Sequence, residues 1–375
     1  MQERLIRIPV ALMMSLPLSL GLGAIPGWVV GVQAQSSANP NSAPANELRV
    51  FELFKQARAS LDAGQYDAAL RIYQQAAQLD NRNARIYSAI GFIQARREAY
   101  AEAAQAYRQA IALDNQNSNF YYALAYCLAN LKDYSGAVQA YTQAIQLDPK
   151  NIQAQEGLAV VYSRQRNFVG ALATYQRIVA NDPKNASAHR SLGILALQQQ
   201  RIPEAIAAFT QAAQLDPKSG EVRVGLAYGY LAQGNTAGAI AAANEATRLE
   251  PRNAKVNVQA GGILLSQGNL DEALAAYRRA TNVEAKMVDG HIGVGDVLRT
   301  RGDSLGALVA YRQALQNQPQ NPEARYKLGL ALKDRGRAAE AVTELRTARQ
   351  IYLSQGQGQS DEVRKINGAL SQLGQ

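Results

Sequence analysis

Cys127, His189 and His291 are the side chains in this 375-residue chain best suited by type to nucleophilic, proton-transfer or metal chemistry. A thiolate attacks electrophiles or binds soft metals, and an imidazole moves protons near neutral pH or ligates zinc, but each needs partners at short range. The cysteine is alone, so neither an intrachain disulfide nor a thiolate metal cluster can form. It falls in the apolar run YYALAYCLANL, where a small buried residue fits. The histidines are far apart and have no neighbouring ligand cluster, and the chain carries neither a Gly-rich phosphate loop nor a nucleophile motif. The expectation is a protein that is not an enzyme and that takes no cofactor and no metal. What remains is the chemistry of recognition, in which guanidinium groups fork onto carboxylates and aromatic rings stack. The formal charge of +9 is a mild excess that reads first as a solvated surface and, as the sharper alternative, as attraction to acidic partners or anionic headgroups. Dense basic clusters are missing, so nucleic acid is not an expected partner.

The elements that would carry such groups are legible in Ser118 to Asn151, SNFYYALAYCLANLKDYSGAVQAYTQAIQLDPKN. Two runs with apolar residues at helical spacing are broken at Lys132-Asp133 and closed by Asp148-Pro149, which reads as a helical hairpin. A hairpin of this size cannot bury both faces of both helices, so it must stack on neighbours, and the residues that permit stacking must recur in register.

They recur every thirty-four residues. Ala69, Ala103, Ala137, Ala171, Ala205, Ala239, Ala273, Ala307 and Ala341 place a methyl where two helices of a hairpin cross at about 8–10 Å. One turn on stand Tyr73, Tyr107, Tyr141, Tyr175, Phe209, Tyr277 and Tyr311, rings that fill the space between hairpins, with Ala243 and Leu345 as the exceptions. The first helix carries an aliphatic residue followed by Gly or Ala, from Ile90-Gly91 to Leu328-Gly329, and prolines such as Pro149, Pro183 and Pro217 mark the loops between repeats. Gly225, Gly229, Gly234, Gly238, Gly261 and Gly262 crowd the stretch from 220 to 265 where the ring is lost at Ala243, so a softer stretch is expected there.

This pattern, from about residue 50 to 353, resembles the tetratricopeptide repeat. The resemblance implies an all-α fold, a right-handed superhelical solenoid of about nine hairpins plus a C-terminal capping helix. It also implies a non-enzymatic scaffold or assembly factor that binds an extended protein or peptide segment in a concave groove. The groove is lined in the family by first helices, which by position gives Phe54, Arg58, Arg85, Phe92, Arg96, Tyr122, Tyr126, Asn130, Arg164, Arg190 and Tyr228, together with Ile194 and Arg299. The family's tryptophan position holds Tyr87 and Tyr121 and then polar residues such as Gln155, His189 and Arg223, a departure expected to loosen those repeats.

The ends differ from the array. Residues 1–34 have the layout of a secretory signal, with Arg4 and Arg7 before a charge-free stretch (8–32) and a cut after Ala34. Left uncleaved, residues 8–32 would associate with a membrane, since about twenty apolar residues span a bilayer. Residues 35–49 read as a disordered spacer, and 354–375 as a flexible joint and a capping helix. The expected location is the periplasm or cell envelope, or the thylakoid lumen in a photosynthetic source. The alternative reading is a membrane-tethered structural subunit of a secretion, pilus or polysaccharide-export machine.

Overall fold

The computed structural model describes residues 45–375, so the expected signal and most of the spacer lie outside the described residues. Those described form nineteen helices and no strand, an all-α repeat solenoid. They fall into two compact units, 45–188 and 189–375. The first unit holds hairpins α1 (Ala45–Asp62) with α2 (Tyr66–Leu79) and α3 (Ala84–Arg96) with α4 (Tyr100–Leu113). After them come α5 (Ser118–Asn130) with α6 (Tyr134–Leu147) and α7 (Ile152–Arg164) with α8 (Phe168–Asn181). The dividing point falls inside α9 (Ala186–Gln198), which pairs with α10 (Ile202–Leu215). Next in the second unit are α11 (Gly220–Gln233) with α12 (Thr236–Leu249) and α13 (Ala254–Ser266) with α14 (Leu270–Val283). It ends with α15 (Val288–Thr300) and α16 (Ser304–Asn317), α17 (Pro322–Asp334) and α18 (Ala338–Ser354), and α19 (Asp361–Ser371). Because α1 starts at Ala45, residues 45–49 are helical rather than part of a spacer.

Every alanine of the crossing series, Ala69 through Ala341, is fully buried. The rings one turn on are buried too, and in the second unit some are gripped from both sides by glycine. A methyl on Gly193 or Gly225 would lie 2.9 or 2.3 Å from Phe209, and one on Gly261 or Gly293 would lie 3.1 or 2.1 Å from Tyr277. Each ring therefore contacts the first helix of its own hairpin and the first helix of the next. Gly225 and Gly261 are thus contact positions, and in the stretch expected to be soft they admit rings rather than merely weakening a helix.

The turn inside each hairpin needs a residue in the left-handed region. Gly64, Glu98, Lys132, Arg166, Gln200, Gly234, Gly268, Gly302 and Gly336 recur in register with φ between 59° and 83°. Four of the nine are not glycine, at a cost of about 1–2 kcal/mol each for a residue with a Cβ.

At the family's tryptophan position several side chains reach back to a carbonyl of the preceding loop, whereas Arg223 pairs with Glu245 at 3.1 Å. Gln155 Nε2 donates to the Pro149 carbonyl at 2.7 Å, Asn257 Nδ2 to Pro251 at 3.2 Å, and Arg325 Nε to Pro319 at 3.1 Å. Tyr87 Oη does the same to Asn81 at 3.2 Å. His291 Nε2 lies 2.8 Å from the Ala285 carbonyl, an acceptor, so the proton sits on Nε2. At Gln155 and Asn257, where the bond is partly buried, an unpaired loop carbonyl would cost a hydrogen bond that the side chain supplies.

The far end of the second unit is closed by α19. Ser360 Oγ accepts from the Val363 amide at 3.3 Å, and Val363, Ile366 and Leu370 are buried together with Leu345 and Tyr352.

Candidate functional site

The residues assigned by position to a binding face separate into packed and exposed groups. In the first unit, Phe54 on α1 is half-buried edge-on against Tyr73, with ring centres 5.3 Å apart. Arg58 pairs with Asp62 one turn along at 3.1 Å, an exposed pair of small value. On α3, Arg85 is exposed, and the Arg96 guanidinium lies 5.2 Å from the centre of the half-buried Phe92 ring, a cation–π contact. Arg164 ends α7 on the surface.

Tyr122 and Tyr126 on α5 are placed differently. They are 5% and 8% exposed, Tyr122 packing on Tyr141 with ring centres 6.0 Å apart and Tyr126 on Tyr100 at 6.2 Å. Burial, and then the neighbouring Tyr100, push the Tyr126 phenol up to about 12. Asn130 turns its amide back to the Tyr126 carbonyl at 2.9 Å. In the second unit Tyr228 is 8% exposed, and burial alone pushes it up to about 12. These three tyrosines are packing rings, with little surface left for a ligand to stack on. Helix periodicity does not separate a ring that lies over its neighbouring helix from one that stands clear of it, which is why the sequence grouped them with the exposed arginines.

Arg190 is held by Glu221 of the next first helix, Ile194 is half-buried, and Arg299 pairs with Asp334 at 2.6 Å. The sequence reading missed a network beside that pair. Asp296 accepts from the Tyr311 hydroxyl and from Lys327 Nζ, each at 2.7 Å, and joins two consecutive hairpins. The signal was present in register, because Lys327 stands where Gly225 and Gly293 stand in other repeats. A lysine there reaches the ring's hydroxyl partner instead of making room for the ring.

Cys127 is fully buried and burial pushes its thiol up to about 12, so little thiolate forms near neutral pH. Among the described residues no three His, Cys, Asp or Glu side chains gather as a metal site would require, and no helix is long and apolar enough to cross a membrane.

Comparison with known proteins gives a consistent picture. Tetratricopeptide repeat family models match residues 156–220, 224–286 and 118–151, and a TPR repeat model matches 57–97 and 295–336. No curated protein matches the chain. Among solved structures, a tetratricopeptide repeat protein from Parabacteroides merdae is similar at 19% identity and a TM-score of 0.55, over 67% of this chain and 99% of that one. MamA from Desulfovibrio magneticus aligns with 44% of this chain and 92% of its own at 23% identity and a TM-score of 0.40. YrrB, described as a TPR protein with an unusual peptide-binding site, aligns with 50% of this chain and 97% of its own at 22% identity and 0.38.

Proposed function

The chain belongs to the tetratricopeptide repeat family, whose fold serves as a scaffold for protein–protein interaction, and on that premise we propose that it holds an extended segment of a partner protein across the first helices of its early repeats. The observation that carries this reading is the run of exposed cationic groups on successive first helices, Arg85 and Arg96 on α3 and Arg164 on α7, with the Phe92 ring beneath Arg96. Arginine forks onto carboxylates and backbone carbonyls, and a half-buried ring beside it supplies the apolar contact that interfaces favour. The work is binding, without catalysis. Photo-cross-linkers placed at Arg85, Phe92 and Arg164 in living cells are expected to capture one and the same protein. Adducts formed only from the outward faces of α4, α6 and α8 would overturn the assignment.

The second part of the proposal is export. Its support is the layout of residues 1–34, and the protein from its native compartment is expected to have an intact mass beginning at or near Gln35. The charge-free length of residues 8–32 favours the alternative of a membrane-tethered subunit of an envelope machine. A mass that retains Met1 would decide for that alternative.

A further inference from the structure

We propose that the turn edge of hairpins two to four, carried by Glu98, Lys132 and Arg166, is a second protein-binding surface of this chain. It would read an extended segment of mixed charge laid across successive turns, and the inference rests on the scaffold reading above.

The evidence begins with the backbone. All nine turn residues are left-handed, and five of them are glycine, which adopts that conformation without steric cost. Where a side chain is tolerated there, asparagine and aspartate are the least strained choices. This chain instead uses glutamate, lysine and arginine in three consecutive turns, at φ of 61°, 63° and 59°. The backbone draws nothing from these side chains. The Lys132 amide donates to the Ala129 carbonyl at 3.1 Å and the Arg166 amide to Ser163 at 3.1 Å, the same turn bond that Gly234 makes to Leu231 at 3.0 Å. All three side chains are exposed, and among the described residues none of them forms an ion pair or a side-chain hydrogen bond. Strain kept at these turns, and at the next one where Gln200 is left-handed at φ 59°, without return inside the fold points to a use outside it.

The chemistry of the edge specifies the partner. Glutamate between cations argues against a uniformly anionic surface such as nucleic acid or an acidic membrane, and suits a polypeptide carrying both signs. Neighbouring helices lie about 8–10 Å apart. Successive turns are one hairpin, two helices, apart, so several residues of an extended strand run from one turn to the next. Leu131, 46% exposed beside Lys132, adds an apolar contact. At one end the edge meets an open surface depression lined by Tyr66, Asp67, Arg71 and Arg97, in which Arg97 pairs with Asp67 at 3.0 Å.

The test uses the full chain. Photo-cross-linkers at Leu131 and Gln165, exposed neighbours of the strained residues, are expected to yield one protein adduct in cells, identified by mass spectrometry. The variant E98G/K132G/R166G should then fold more stably, with the folding constant rising about fivefold per site, read as a higher urea midpoint. It should capture that protein at least tenfold less well. E98A/K132A/R166A should lose capture equally without gaining stability, which separates the side chains from the backbone. A glycine variant that captures the protein as well as the parent would overturn the proposal, as would adducts sensitive to nuclease or lipid extraction. Adducts from Arg85 and Arg164 but none from the turns would overturn it while leaving the scaffold reading intact, whereas no adduct from either set would overturn both.

Discussion

Above pH 10 the folded chain will lose stability steeply and cooperatively, because the rings that join its hairpins are buried phenols. Tyr73, Tyr107, Tyr141 and Tyr311 are each no more than 1% exposed. Burial pushes Tyr73 up to about 12 and holds Tyr107, Tyr141 and Tyr311 well above the usual phenol range. A free tyrosine in the unfolded chain ionises near 10. At any pH between the two values the unfolded state binds fewer protons than the folded one, so stability falls as pH rises, by about 1.4 kcal/mol per pH unit for each such ring. Below pH 10 both states keep the proton and the full stability is present. Several rings acting together are expected to unfold the array by about pH 11–12. Tyr107→Phe with Tyr141→Phe should displace the alkaline limb of the stability curve upward. An unchanged limb in that variant, followed by circular dichroism in urea at each pH, would mean that the phenols are not the cause. Tyr107 is the cleaner member of the pair, because its hydroxyl is buried without a hydrogen-bond partner among the described residues.

Adding one methyl group will have opposite signs at two helical glycines. At Gly293 a Cβ would lie 2.1 Å from the Tyr277 ring, which the glycine admits between consecutive hairpins. Gly293→Ala therefore forces the ring or a helix to move, and a loss of about 1–3 kcal/mol or more is expected. At Gly368, inside α19, a Cβ meets nothing within 4 Å, so Gly368→Ala should gain about 0.5–1 kcal/mol from helix propensity alone. The same contrast holds at the crossing position. Ala137 is fully buried and Gln139 is exposed. Ala137→Leu should cost about 1–3 kcal/mol and Gln139→Leu almost nothing. Urea midpoints of the four variants decide the matter, and equal shifts at buried and exposed positions would show the packing register to be wrong.

What could be read in advance follows from which interactions leave a periodic trace. A helix crossing that admits only a methyl repeats as alanine every thirty-four residues, so the hairpins and their order were legible. Gly64 and Gly302 announced their turns, yet Glu98, Lys132, Arg166 and Gln200 hold the same left-handed turn without its usual residue, and no single-residue preference would place them there. Gln155, Asn257, His291 and Arg325 looked like losses of an aromatic, whereas each makes the same hydrogen bond with different chemistry. Function-type is similarly opaque in the series. Gly225, Gly293 and Lys327 share one register position, but the two roles, making room for a ring and pairing with Asp296, emerge only when the neighbouring helix is in place. For the binding face, Tyr126 and Arg164 belong to equivalent first helices, and only burial distinguishes a ring locked against Tyr100 from a guanidinium at the surface.

The scaffold reading is tested most directly by capture of the protein cross-linked from Arg85, Phe92 and Arg164, measured with purified full-length chain before and after the double reversal Arg85→Glu with Arg96→Glu. Both side chains are exposed, so helicity and the urea midpoint should be unchanged apart from the small cation–π contribution of Arg96 over Phe92. The same reversal at Arg278 and Arg312, exposed on the second helices of late hairpins, serves as the control for net charge. The expected result is at least a tenfold loss of affinity for the first pair and little change for the second. Equal losses from both pairs, or none from the first, would contradict the assignment of the partner to the first helices of the early repeats.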